Sequence, residues 1–275
     1  MRHGLRIYLL EWTPATRPHV GCGLTEFADD AISEAIAAAS MEDPASKPFL
    51  MGHSLGGTLA AIFTALHPEQ LKGLVLLSSP LCFAPGISSF RDALDGLAPF
   101  WLPDMDIIPG SALSQLCTTA SPDTFIWSRL LDATVTATDS RASDIRPRIE
   151  RWALDEAPLS GKLIHDIFFW LFRENRLCNG TLALRGQSVL PSRIRSPTLA
   201  VANVKDEIAP PASVRPFLEL MSDADTHLIE YPGETGVVLQ HLGLLVGQDA
   251  FAQIWPDIVS WVKDHDRATT NIGTD

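Results

Sequence analysis

The residues Gly52-His53-Ser54-Leu55-Gly56 have the G-x-S-x-G spacing of a nucleophile elbow. A serine hydroxyl is a weak nucleophile unless a sharp turn presents it to a base and to oxyanion donors. Such a turn strains the backbone at the serine, and small residues two positions on either side let the adjoining strand and helix pack closely. The pattern therefore predicts a nucleophilic Ser54, with the backbone N–H of Leu55 as one oxyanion donor.

The flanking sequence has the order of elements that this turn requires. Pro48 to Met51 form a short, uncharged and mostly apolar run, which is typical of a strand buried on both faces. Apolar residues recur at helical spacing over residues 55–66, and residues 73–78 predict a second buried strand. A five-residue pattern alone also arises by chance. Strand, elbow, helix and strand in this order favour the functional interpretation.

An acid and a base should follow in the chain order serine, acid, histidine, each after a strand. Residues 197–203 predict a buried strand, and Asp206 lies just beyond it, so Asp206 is the predicted acid and Glu207 the alternative. His241 lies in a glycine-punctuated loop after the strand predicted at 226–230, and it is the predicted base. His53 occupies the variable position of the elbow, where it could contact substrate.

The order of predicted elements indicates an α/β fold with a mostly parallel sheet flanked by helices. We predict a first core segment over residues 1–80 and a second over residues 194–275. Residues 81–193 lack the alternation and are too long for a loop, so they predict an inserted, mainly helical cap. Aromatic clusters such as Phe168-Phe169-Trp170 fit a lid over an apolar substrate channel. They fit simple packing of the cap on the sheet equally well.

Several further elements complete this prediction. A strand is expected over Gly4 to Leu10, a helix from Thr25 to about Met41, and a helix over residues 212–221. The amphipathic stretch from Phe251 to Val262 predicts a final helix with Phe251 facing inward. Pro256 should kink or restart that helix, because proline removes one backbone donor.

Composition excludes several classes of function. The chain has 275 residues, of which 46% are hydrophobic and 20% charged, and this balance is typical of a globular protein. The formal net charge of −12 disfavours nucleic acid and anionic membrane as partners. The longest uncharged stretch, residues 73–90, contains prolines and a glycine and does not predict a membrane span.

The cysteines and the first residues bear on the compartment. Cys22, Cys82, Cys117 and Cys178 lie far apart without a C-x-x-C pair, so we expect reduced thiols, no disulfide framework and no metal site. The apolar run Ile7 to Leu10 is too short for the core of a signal peptide. These features predict a cytoplasmic protein that uses no cofactor.

Over most of its length the chain resembles the polyhydroxyalkanoate synthases and their α/β-hydrolase relatives. The family signature N-x-L, G-x-L-x-L-x-G, I-x-x-P and D-x-I-A-P is similar to residues 175–177, 180–186, 194–197 and 206–210, and Leu9 to Trp12 is similar as well. Residues 81–158 match poorly. The resemblance implies an α/β-hydrolase fold and an acyl ester or thioester substrate, such as a hydroxyacyl-CoA or a polymer. It makes Trp12 a candidate substrate-binding residue.

Two departures from the family change the expected chemistry. The synthases carry cysteine at the elbow, where a thiolate accepts the growing chain by thioester exchange, whereas this chain has Ser54. An acyl-serine ester discharges readily to water, so hydrolysis is favoured over polymerisation. The histidine also lacks the family's preceding glycine, because Gln240 stands before His241. This difference indicates a divergent branch.

In the family, the strand and loop that supply the second oxyanion amide precede the segment similar to Gly4 to Trp12. The chain as given starts after that point, so we expect the natural protein to extend upstream of Met1. Loss of one oxyanion donor costs on the order of 10²–10³ in rate. Three hypotheses follow: a serine hydrolase of esters or thioesters, a synthase-like acyltransferase, and a weakly active or inactive accessory protein.

Overall fold

The computed structural model describes residues 4–42, 44, 47–101, 105–154 and 157–271. The extreme ends of the two predicted core segments, 1–3 and 272–275, lie outside this range. The strands in chain order are β1 (Phe49–His53), β2 (Gly73–Leu77), β3 (Ile107–Ile108), β4 (Leu159–Ser160), β5 (Ala183–Leu184), β6 (Gln187–Ser188), β7 (Thr198–Asn203) and β8 (Thr226–Tyr231).

The α-helices in chain order are α1 (Ala31–Glu42), α2 (Leu55–Leu66), α3 (Ser89–Trp101), α4 (Gly110–Ala120), α5 (Ser128–Val135), α6 (Ser140–Leu154), α7 (Gly161–Asp166), α8 (Arg215–Glu219), α9 (Gly243–Val246) and α10 (Trp255–Asn271). Stretches of π-helix lead into or extend several of them, at Glu26–Asp30, Asp123–Trp127, Ile167–Arg173 and Ala250–Ile254. Short 3₁₀ turns lie at Arg17–His19, Pro191–Arg193, Pro211–Ser213 and Gln240–Leu242.

The central sheet of the described residues contains β1, β2, β7 and β8 in that spatial order, and every neighbouring pair is parallel. Parallel strands need a crossover that covers a face of the sheet, and the two middle strands, β2 and β7, are buried on both sides. The outer strands β1 and β8 are partly exposed, so the burial on both faces predicted for residues 48–51 is wrong. On β2, Leu74 and Leu76 pack toward α2, whereas Val75 and Leu77 pack toward α10. The predicted parallel α/β architecture is confirmed.

The strand predicted over Gly4 to Leu10 is wrong. This segment has no regular secondary structure, and Ile7 and Leu9 are 73% and 89% exposed. A strand needs a neighbour to receive its backbone hydrogen bonds. Here β1 is the outer strand on its side of the sheet, and among the described residues no strand forms backbone pairing with this segment.

Two of the helix predictions also need correction. The helix predicted over residues 212–221 is interrupted, because a 3₁₀ turn at Pro211–Ser213 is followed by a separate α8. Pro216 lies in the first turn of α8, and its missing N–H prevents a continuous helix through this point. The final helix does restart near Pro256, at Trp255, as predicted. However, Phe251 is 51% exposed and does not face inward.

The segment between β2 and β7 is mostly helical and packs on the sheet through α7 and the π-helix that extends it. Leu163, Ile167 and Leu171 lie in the same buried hydrophobic cluster as the apolar side chains of α2. Phe168 instead packs with Phe90 among the helices of this segment, so its role is packing. The division into segments 1–80, 81–193 and 194–275 remains a prediction.

Cys82 and Cys178 form a disulfide, with their Cα atoms 5.0 Å apart. The prediction of reduced thiols is therefore wrong for these two residues, and the cytoplasmic location remains a prediction. The reason is tertiary: Asn175 accepts a hydrogen bond from the Phe83 N–H at 2.7 Å, which brings two segments distant in sequence together. In the part of the chain that is described, no helix has the length and apolar character needed to cross a membrane.

Candidate active site

Ser54 lies at the sharp turn between β1 and α2 with φ 54° and ψ −129°. A serine with positive φ is strained, and such strain persists only where the surroundings impose it. The Ser54 N–H donates to the Leu77 carbonyl at 3.0 Å, which extends the β1–β2 pairing into the turn. The carbonyl of Ser54 accepts the N–H groups of Gly57 and Thr58 at the start of α2. The turn is thus fixed from both sides.

Close packing at the elbow depends on Gly52 and Gly57. A Cβ atom on Gly52 would lie 2.4 Å from the Gly56 carbonyl oxygen, and one on Gly57 would lie 1.8 Å from Ser79 Oγ. A Cβ on Gly56 itself would meet no atom within 4 Å. The sequence argument therefore explains Gly52, but Gly57, not Gly56, is the second position where the space excludes a side chain.

Asp206 follows β7 and its side chain is fully buried. Its Oδ1 accepts the N–H groups of Ile208 and Ala209 at 2.9 and 3.2 Å, and its Oδ2 lies 2.7 Å from His241 Nδ1. Both carboxylate oxygens are therefore held in place. Glu207, the alternative acid, is exposed and accepts a hydrogen bond from Thr124 Oγ1, away from His241.

His241 lies on the 3₁₀ turn Gln240–Leu242 and is 7% exposed. Its Nε2 is 2.7 Å from Ser54 Oγ, while its Nδ1 faces Asp206. A carboxylate only accepts hydrogen bonds, so Nδ1 carries the proton and Nε2 is left free to accept the Ser54 hydroxyl proton. The structure thus brings the three residues predicted from the sequence into one hydrogen-bonded series.

Two residues that sequence reasoning did not select hold the turn carrying His241. Asn203, buried at the end of β7, donates from Nδ2 to the Gln240 carbonyl at 2.7 Å. The side chain of Gln240 donates to the Glu234 carbonyl at 2.8 Å. A buried amide at a strand end was the only local signal, because the partner of Asn203 is 37 residues away.

His53 lies beside the base, with its ring centre 5.0 Å from that of His241. Its Nε2–H donates to the His241 carbonyl at 3.0 Å. Burial, and after it positive charge on His241, lower the pKa of His53 from 6.5 to about 4. His53 is therefore neutral near pH 7. The contact that the structure gives it is with His241, and its contact with substrate remains a prediction.

Two candidate residues remain. Leu55 is the first residue of α2, and N–H groups in the first turn of a helix have no partner within the helix. Its N–H is thus available at the elbow. The Trp12 ring packs on Phe27, with ring centres 5.1 Å apart. Its role in substrate binding remains a prediction.

An apolar groove with a volume of about 390 Å³ has Leu242, the residue after His241, among its lining residues. One wall is formed by α6 and the other by residues 242–251. Apart from Arg141 and Arg148, its lining is hydrophobic: Ile145, Ile149, Trp152, Leu242, Leu245, Val246 and Phe251. The exposure of Phe251 is explained by this position in the groove.

Residues 12–231, which are most of the chain, match the α/β-hydrolase fold family. The matched residues include Ser54 and Asp206. The chain belongs to the α/β-hydrolase fold family. A solved monoacylglycerol lipase from Paleococcus ferrophilus has the same fold: it is 22% identical, the match covers 86% of this chain and 75% of the lipase, and the TM-score is 0.51.

The chain is also similar to poly(3-hydroxyalkanoate) polymerase subunits PhaC. The Haloferax mediterranei subunit is 23% identical, and the match covers 98% of this chain and 54% of the subunit. The Allochromatium vinosum subunit is 23% identical, with 95% of this chain and 72% of the subunit covered. The chain spans about half the length of the haloarchaeal relatives. The resemblance to this branch that the sequence indicated is confirmed.

The packing at the elbow predicts opposite effects for two glycine substitutions. Gly52→Ala forces its methyl group against the Gly56 backbone and should destabilise the protein by about 1–3 kcal/mol or more. Gly56→Ala places its methyl in open space within α2 and should stabilise the protein by about 0.5–1 kcal/mol. Urea unfolding midpoints measure both. Equal destabilisation by the two changes would contradict this account of the turn.

The lowered pKa of His53 predicts a loss of stability in acid. Between pH 6.5 and about 4 the unfolded chain binds a proton at this histidine and the folded chain does not. The contribution of neutral His53 is therefore complete above pH 6.5 and falls by up to about 1.4 kcal/mol per pH unit as the pH decreases toward 4. His53→Gln should reduce this slope in denaturant titrations at several pH values. His227→Gln, at an exposed site on β8, is the matched control.

Proposed function

We propose that this protein is a serine hydrolase of acyl esters or thioesters that works through an acyl-Ser54 intermediate. The observation that carries the proposal is the continuous hydrogen-bonded series Ser54, His241 and Asp206, with separations of 2.7 Å at both contacts. A nucleophile within hydrogen-bonding reach of a base, which a third group orients, is the arrangement that activates a hydroxyl.

In the first half of the reaction, Ser54 Oγ attacks the carbonyl carbon while His241 Nε2 takes the hydroxyl proton. The Leu55 N–H stabilises the oxyanion that forms. The bond from the acyl carbon to the leaving oxygen or sulfur then breaks, and the imidazolium returns the proton to the leaving group. Asp206 keeps the ring in the required tautomer and stabilises its positive charge.

In the second half, water attacks the acyl carbon and gives a proton to His241. The Ser54 Oγ leaves with this proton, and a free acid is released. Neutral His53 supports this cycle, because it adds no positive charge beside His241 when the imidazolium forms. A charged His53 would oppose the charge that the base must acquire.

The substrate class is proposed on two grounds. The relatives named as poly(3-hydroxyalkanoate) polymerase subunits favour a hydroxyacyl ester or thioester, such as a hydroxyacyl-CoA or a polymer. The apolar groove that Leu242 helps to line also favours an acyl group with an aliphatic chain, since most of its lining is hydrophobic. Fatty acyl esters fit the same chemistry.

A synthase-like acyltransferase is the alternative, and the similarity to the PhaC subunits over nearly the whole chain favours it. The two reactions share the acyl-Ser54 intermediate and differ in its acceptor, which is water in one case and the hydroxyl of another substrate in the other. Incubation with a hydroxyacyl-CoA separates them. Free acid as the product supports the hydrolase, and oligomer or polymer supports the transferase.

A fluorophosphonate probe tests the nucleophile directly. The wild-type protein should become labelled at Ser54, Ser54→Ala should abolish labelling, and His241→Ala should slow it by at least 10²-fold, because the base no longer activates the hydroxyl. His227→Ala, at an exposed position, should label at the wild-type rate. Mass spectrometry of the labelled peptide identifies the site. A folded wild-type protein that takes up no probe would overturn the proposal and favour the accessory role.

A further inference from the structure

The loop that leads from β8 to His241 contains three residues with positive φ, Gly233, Gly236 and Val238, and the last two lie shortly before the base. Gly236 has φ 82° and Val238 has φ 65°. Valine is branched at Cβ and adopts this conformation only with backbone strain. Val238 is also 4% exposed. Contacts from outside the loop must therefore hold this conformation, three residues before the base.

Those contacts come from Asp132 on α5, more than a hundred residues earlier in the chain. Its Oδ1 accepts the Gly236 N–H at 2.5 Å, and its Oδ2 accepts the Val238 N–H at 3.1 Å. The side chain of Asp132 is 11% exposed. One carboxylate thus binds the backbone on both sides of Val237 and fixes Gly236 and Val238 together.

Arg146 on α6 supplies the charge that this buried carboxylate needs. Its Nη2 lies 3.0 Å from Asp132 Oδ2, and its side chain is 18% exposed. The same guanidinium donates to the Arg129 carbonyl and to Thr136 Oγ1, so it also ties α6 to α5. A partly buried carboxylate with a guanidinium partner and two amide donors is well satisfied and geometrically defined.

Apolar contacts continue this attachment along the loop. Val238 and Leu242 pack with Ile149 of α6 in one buried cluster. Two of the contacts that hold the loop lie close to His241: Asn203 of β7 binds the carbonyl of Gln240, and Asp132 binds the N–H groups of residues 236 and 238. His241 directly follows the first of these anchors and lies three residues after the second.

We propose that Asp132 is a positioning residue for the base: it holds the loop in the strained conformation that keeps His241 Nε2 within hydrogen-bonding distance of Ser54 Oγ. The base is then placed correctly only when α5 is docked on the loop. This proposal rests on the proposed function for its catalytic consequence. Its structural part concerns the loop and the His241 ring, which can be observed without any substrate.

Asp132→Asn tests the role with little change in shape. The amide has a single acceptor oxygen. Its NH₂ group can only donate, so it cannot accept from the N–H groups of the loop or of Arg146, and at least one loop contact is lost. Misplacement of a catalytic group by about 1 Å costs up to about 10²-fold. We expect labelling of Ser54 and kcat for an ester substrate to fall 10- to 100-fold with little change in KM. Asp132→Glu, which retains the carboxylate, should recover part of this loss.

Asp144→Asn is the matched control, because it makes the same chemical change at an exposed position on α6. Two measurements report on the loop itself. Amide hydrogen exchange at residues 236 and 238 should accelerate at least 10-fold in Asp132→Asn and stay unchanged in Asp144→Asn. The low-field proton resonance of His241 Nδ1–H, assigned by its loss in His241→Ala, should weaken or shift only in Asp132→Asn.

The outcomes separate this proposal from the proposed function. If wild-type protein takes up no probe but the exchange and the His241 resonance respond as expected, the proposed function fails while the positioning of His241 by Asp132 holds. If Asp132→Asn is folded, by circular dichroism, and keeps wild-type labelling and the wild-type resonance, Asp132 does not position the base. Equal effects from Asp144→Asn would indicate general destabilisation of the helices and would also overturn the proposal.

Discussion

His241 must keep one ring nitrogen against Asp206 and the other against Ser54, although three different strand ends carry these residues. Parallel strands bring their carboxyl ends to one edge of the sheet. The three residues are therefore carried by the connections that follow β1, β7 and β8 at this common edge. The remaining freedom lies in the loop that carries His241, which is longer than the other two. Asn203 and Asp132 bind the backbone of that loop, and the N–H groups of Ile208 and Ala209 hold Asp206, to which His241 must donate.

Strain is present at both ends of the hydrogen-bonded series, and a different part of the fold imposes it at each end. At Ser54 the sheet and α2 impose the positive φ, and the absence of side chains at Gly52 and Gly57 permits the close approach. At Val238 the N–H is bound by the carboxylate of Asp132, from the helical segment between β2 and β7. The turn that carries the nucleophile is therefore held by the core alone, whereas the loop that carries the base has contacts with both the core and that helical segment.

The elbow, the acid and the base could be predicted because each has a local signal: a glycine-flanked serine after an apolar run, and an acid or histidine after a strand. The contacts of Asn203 and Asp132 could not, because their partners are fixed only by the folded chain. The segment Gly4 to Leu10 has the composition of a strand, but a strand also needs a partner for its backbone hydrogen bonds, and the described part of the chain contains no strand paired with it. The Cys82–Cys178 bond was missed for a related reason, since spacing along the chain does not reveal proximity.

That bond has a topological consequence for the segment between β2 and β7. Cys82 lies just after β2, and Cys178 lies 96 residues later, close to where the chain returns toward the sheet. The helices between them therefore form a covalently closed loop whose entry and exit are fixed at one point on the body of the protein. Residues can be gained or lost within such a loop without changing the distance between β2 and β7. The part of this loop that does not pack on the sheet core can thus diverge in length and sequence while the sheet that carries Ser54 and Asp206 is left undisturbed.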